Sequence, residues 1–181
     1  MVAMLFLGFS AGLPLLLVFG TLSFWLRKEG LDRTTIGYIS WVAILYGLKF
    51  LWAPLVDRLT IPLITSWLGQ RRSWMLLAQI GVIIGLWMMA QSNPATELMS
   101  LVLFALLVAF SSATQDISVD AWRIETAPIN QQGAMAGTYQ LGYRLGWILS
   151  GGGAFLIAGS FSWGAAYVVM GFAMFVGVAT T

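Results

Sequence analysis

The 181-residue chain contains no cysteine and no histidine. Without cysteine it can form no disulfide, no thiolate nucleophile and no sulfur-ligated metal centre. Without histidine it lacks the usual neutral-pH proton carrier and a common metal ligand, so proton chemistry must fall mainly on carboxylates. Charge is scarce as well. Nine Lys+Arg and seven Asp+Glu make up 9% of the residues, against roughly 25% in a soluble domain. A net charge of +2 built from so few groups is no basic patch, which excludes a nucleic-acid partner. What the chain has instead is apolar surface: 59% apolar residues and a mean hydropathy of +0.86. A soluble domain cannot hide that much apolar area, because its surface needs charges to stay wetted.

A helix crossing the hydrocarbon core needs about 20 mostly apolar residues. Six segments qualify, at about 2–26, 34–56, 73–90, 98–122, 131–158 and 164–181. Inside lipid every backbone polar group must be paired within its own segment, so these are expected as helices. The alternating ten-residue pattern of a membrane barrel is absent. The first segment has no basic start and is longer than a signal core, so it is read as a span. Arg58, Arg71, Arg72 and Arg123 lie in loops two and four, and Arg27, Lys28 and Arg33 in the odd loops. That bias favours a cytoplasmic N-terminus. Gly142 with Gly146, and Gly133 with Gly137, have the small-xxx-small spacing that lets helices approach closely. No metal cluster, phosphate loop or nucleophile–base pairing is visible in the sequence, so no enzyme is expected.

Charges within spans are expensive and usually face a cavity or a partner. Lys49, Asp116, Asp120 and Arg144 are the four that stand out. Ser112, Asp116, Asp120 and Arg123 follow one helical stripe, widened by Gln115 and Ser118. Asp116 and Asp120 lie one turn apart and repel when both are ionised, so a proton or a cation is expected to relieve them. Arg144, with Tyr139 and Tyr143 nearby in sequence, could reach toward Asp116 from the antiparallel fifth span. Lys49 is a second candidate partner. Asp57 follows the C-terminal end of the second span, where the helix dipole disfavours an acid, so it should seek a cation. Arg71 and Arg72 read as basic anchors. Between them and Arg58 an apolar stretch, Leu59 to Leu68, is expected to form a short interfacial helix.

Four motifs carry a family resemblance: Gly8-Phe9-Ser10-Ala11-Gly12-Leu13-Pro14, Lys49-Phe50-Leu51-Trp52-Ala53-Pro54-Leu55-Val56-Asp57-Arg58, Ser112-Ala113-Thr114-Gln115-Asp116-Ile117 and Leu141-Gly142-Tyr143-Arg144-Leu145-Gly146. The Asp57-Arg58 pair followed by Gly69-Gln70-Arg71-Arg72 resembles a stretched form of the loop signature of the major facilitator superfamily. Together the motifs resemble the AmpG muropeptide permease branch of that superfamily. The resemblance implies an all-α membrane fold, with this chain as the N-terminal six-helix bundle of a twelve-helix transporter and a C-terminal six-helix half as its partner. It implies a multi-pass protein of the bacterial inner membrane, importing GlcNAc-anhydroMurNAc and its peptides for peptidoglycan recycling. It implies protons as the coupling ion and no cofactor. Asp116 and Asp120 are then the proton-coupling candidates, and Gln115, Tyr139, Tyr143, Arg144 and Lys49 the substrate-binding candidates. Asp57, Arg58, Arg71 and Arg72 are the gating candidates. A related branch carries acetyl-CoA and shares the Thr-Gln-Asp segment, which leaves acetyl-CoA or another anionic solute as a rival substrate. A rival of another class is a non-transporting membrane interaction protein that only packs against a partner, against which the acids within the spans argue.

Overall fold

A computed structural model describes all 181 residues. The chain is all helical. We label the helices α1 (Val2–Lys28) and α2 (Arg33–Leu51), α3 (Ala53–Arg58), α4 (Ile64–Leu68) and α5 (Gln70–Gln91). They are followed by α6 (Leu98–Thr126), α7 (Gln132–Ile148), α8 (Ala154–Ser160) and α9 (Trp163–Thr180).

Five helices, α1, α2, α5, α6 and α9, are long and apolar enough to cross a membrane. The fifth expected span is helical too, running from α7 through a π-helical turn at Leu149–Gly153 into α8. Arg144 and Gln140 within it dilute its apolar character. The second expected span differs more. It is a chain of short α and 3-10 turns, with α3 set off by Trp52. Pro54 contributes, since it has no amide to continue the ladder.

The core lies between α1, α5, α6 and α9, where Leu13, Leu17, Leu86, Val108, Tyr167 and Met170 are all fully buried. Lipid-facing residues take the outside: Leu77, Ile80, Ile84 and Met88 form an exposed stripe along α5. α1 loses helical register at Phe19 (φ −114°, ψ −92°). The neighbouring π turn frees backbone carbonyls, which cannot stay unpaired in lipid. The buried Thr21 hydroxyl answers one of them, donating to the Ser150 carbonyl at 3.0 Å.

α1 and α7 make the closest crossing. A Cβ on Gly142 would strike the Leu5 carbonyl, and one on Gly146 the Phe9 carbonyl. Across the same seam Gly8 faces the Tyr139 carbonyl and Gly12 the Tyr143 carbonyl. Two small-xxx-small pairs therefore meet face to face, backbone on backbone. Gly133 and Gly137 have the same spacing but nothing within 4 Å, so they are not part of a helix contact. α2 stands apart, touching mainly α6, with only 6% of its apolar window buried.

Candidate functional site

α6 has 29 residues, about 43 Å at 1.5 Å per residue, so it exceeds a hydrocarbon core of about 30 Å. Its C-terminal turns therefore stand at the interface. Asp116 lies about 15 Å from that end and Asp120 about 9 Å. Asp120 is half exposed and accepts from Arg123 Nη2 at 3.2 Å. Its charge is compensated in place. Asp116 is half-buried and no cation lies within 4.0 Å of it. Its partner is a neutral donor: the Tyr139 hydroxyl donates to Asp116 Oδ1 at 3.2 Å.

The α1–α7 crossing makes that bond possible. The glycine seam fixes the height and rotation of α7, with Tyr139 over α6 on the face beside the seam. Tyr143 and Trp147 follow at four-residue steps, with successive ring centroids 6.0 and 5.5 Å apart. The result is an aromatic ladder leading away from Asp116.

Arg144 does not reach Asp116. It is exposed and forms no ion pair. The reason is angular, since residues five apart on a helix differ by about 140° in direction. With Tyr139 turned to Asp116, Arg144 must point elsewhere. Gln115 is likewise turned from Asp116. It is fully buried against α1, where its Nε2 donates to Ser10 Oγ at 2.9 Å. Lys49 sits half-buried in the last 3-10 turn of α2 and forms no ion pair. Trp52, just beyond it, ties this junction to α6 by donating from its indole to Thr114 Oγ1 at 3.1 Å.

At the interfacial end of α6 the structure joins two of the four gating candidates and adds a third group. Arg71 Nη1 donates to Asp57 Oδ1, and Arg71 Nε and Nη2 donate to Glu125 Oε1 at 2.9 and 2.7 Å. One guanidinium thus bridges α3, α5 and α6. Arg58 and Arg72 are outside this bridge, and Arg72 lies over the Trp122 ring at 6.0 Å from its centroid. Glu125 is the residue the sequence reading missed. The signal was available: Glu125 sits at the C-terminal end of α6, where the dipole disfavours an acid, as Asp57 does on α3. Replacing Arg71 with Gln is expected to cost about 1 kcal/mol or less, because both carboxylates are about half exposed. Thermal melts should show the deficit at low salt and its loss in about 1 M salt, where the Debye length is about 3 Å.

Comparison with known proteins decides the family. Residues 1–93 match the family model described as acetyl-coenzyme A transporter 1. The chain belongs to that family. Proteins similar to it include the anhydromuropeptide permease of Escherichia coli K12, 44% identical over 155 residues, which is 86% of this chain and 31% of the relative. A Rickettsia felis protein named for an AmpG transporter is 38% identical over 152 residues, covering 84% of this chain and 36% of the relative. A Haemophilus influenzae protein is 38% identical over 176 residues, covering 97% and 40%. The chain thus spans about a third of the length of the first two of these curated relatives. As a family member with apolar spanning helices it is a multi-pass membrane protein.

Proposed function

We propose that this chain forms the first half of a proton-coupled importer of anhydromuropeptides in the bacterial inner membrane, with its N-terminus cytoplasmic. The printed name of the Escherichia coli relative supports the substrate class. The observation that carries the coupling is Asp116: a carboxylate within a spanning helix, bonded to a tyrosine hydroxyl and matched by no cation within 4.0 Å. Such a group changes its charge state most cheaply by taking or losing a proton. Transport needs a second six-helix half. The exposed length of α2 and the outer face of α7, where Leu141, Leu145 and Ile148 are open, are the surfaces it would cover. Substrate would lie between the halves, beside the Tyr139–Tyr143–Trp147 ladder, whose faces suit sugar rings. The two halves would rock about it to open on alternate sides.

The deciding experiment is uptake of labelled anhydromuropeptide by permease-deficient cells making the whole transporter, with and without a protonophore. Uptake that collapses with the gradient is expected. Absence of uptake by protein shown to be inserted would overturn the reading. Uptake of labelled acetyl-CoA instead would favour the cargo for which the family model is named.

A further inference from the structure

The loop from Leu59 to Leu68 shows its apolar side chains to the outside. Leu63 and Trp67, one turn apart, are 86% and 90% exposed. With Ile64 and Leu68 they line an apolar hollow of about 350 Å³. Two of its polar side chains bond within the loop: Thr65 Oγ1 accepts from the Ile61 amide at 2.9 Å, and Ser66 Oγ donates to the Leu63 carbonyl at 2.6 Å. Leu63 itself has φ +71°, and the Ile64 amide donates to the Pro62 carbonyl at 2.9 Å. That is a γ-turn of the rare, strained hand. A loop facing water would not leave Leu59, Leu63, Trp67 and Leu68 uncovered together.

The loop is also fixed in place. It joins α3 to the spanning helix α5, and the Trp74 indole donates to the Leu59 carbonyl at 2.8 Å. Trp74 stands at the top of the lipid-facing stripe Leu77, Ile80 and Ile84. The apolar surface of the loop thus continues a surface that already meets lipid. The loop is flanked by Arg58 and Arg72. Neither forms an ion pair, whereas Arg71 is held by Asp57 and Glu125.

We infer that Leu59–Leu68 is a membrane anchor: Leu63 and Trp67 insert into the headgroup–acyl boundary of a phospholipid leaflet, and Arg58 and Arg72 meet its phosphate groups. Apolar faces of this kind sit about 5–10 Å into that boundary. Arginine and tryptophan together at that level are the usual interfacial pairing. The anchor holds the connection between α3 and α5 in the membrane plane, beside the Asp57–Arg71–Glu125 bridge. This role is independent of which solute is carried.

This chain has no cysteine, so a single substitution gives the one thiol within it; in the whole transporter any thiol of the second half is first replaced by serine. Leu63→Cys and Trp67→Cys would each carry an environment-sensitive fluorophore, in protein reconstituted into phosphatidylcholine–phosphatidylglycerol nanodiscs. Asn130→Cys, in the exposed loop between α6 and α7, serves as the water-facing reference. Labels at 63 and 67 are expected to be quenched by lipids spin-labelled near the headgroup and shielded from aqueous iodide, with the reverse at 130. Iodide quenching at 63 and 67 equal to that at 130 would overturn the inference. So would shielding from both quenchers, which would mean that protein covers the face. Trp67→Cys lies outside the strained turn and keeps the test sound if Leu63→Cys disturbs the loop.

Discussion

Gly142→Leu is expected to force α1 and α7 apart and to lower the melting temperature of the purified protein more than any single surface change. The atoms in its way are backbone: the Leu5 carbonyl and the Phe9 amide nitrogen. A crowded side chain can find another rotamer, but a helix backbone can only move as a body. Ordinary overpacking costs about 1–3 kcal/mol, and this site belongs at the upper end or beyond. For a chain of this size about 3 kcal/mol corresponds to a drop of roughly 6–12 °C. Gly137→Ala on the same helix is the control. Nothing lies within 4 Å of it, so alanine should be neutral or stabilise by up to about 1 kcal/mol through helix propensity. Melts in one detergent decide the matter. Equal losses at Gly142 and Gly137 would mean that the seam is not where the helices touch. The effect should extend to the site, since the seam places Tyr139 over Asp116.

Those two glycine pairs show what sequence can and cannot convey. Spacing alone made Gly142–Gly146 and Gly133–Gly137 equivalent, because it records which residues share a face but not what that face meets. The deciding information was on α1, in Gly8 and Gly12, which line up opposite the first pair only. The membrane class and the approximate positions of the helices were legible, because the length and apolarity of a span are properties of one segment. The broken course of α2 was not. Its 3-10 turns, Ser40–Ala43 and Lys49–Leu51, hold the same apolar residue types as an α-helical span, so composition does not reveal them. The polar stripe on α6 was legible as a stripe, but its partners were set by the rotation of α7. That rotation gave Asp116 a tyrosine in place of Arg144. Glu125 could have been found by the same dipole reasoning that singled out Asp57, applied to the other helix ending at that interface.

In the whole transporter proposed above, Asp116→Asn is expected to abolish gradient-driven accumulation while leaving the protein folded and able to exchange solute down its gradient. Asn keeps the shape of Asp, and its carbonyl can still accept from Tyr139, so the α6–α7 contact at 3.2 Å survives. What is lost is the ability to change charge. One charge moved through about 100 mV is worth about 2.3 kcal/mol, which sustains an accumulation of roughly 40- to 50-fold at about 1.4 kcal/mol per tenfold. In the variant the ratio should fall to about 1. Asp120→Asn should do less, because Asp120 is half exposed and already held by Arg123. Tyr139→Phe removes the one hydrogen bond Asp116 has and should move the pH profile of uptake without ending accumulation. Counterflow and protonophore-sensitive uptake, measured on the same vesicles, separate the cases. Accumulation by Asp116→Asn at the wild-type ratio would remove Asp116 from the coupling step. Loss of both counterflow and accumulation, with the melting temperature unchanged, would make Asp116 a substrate contact instead.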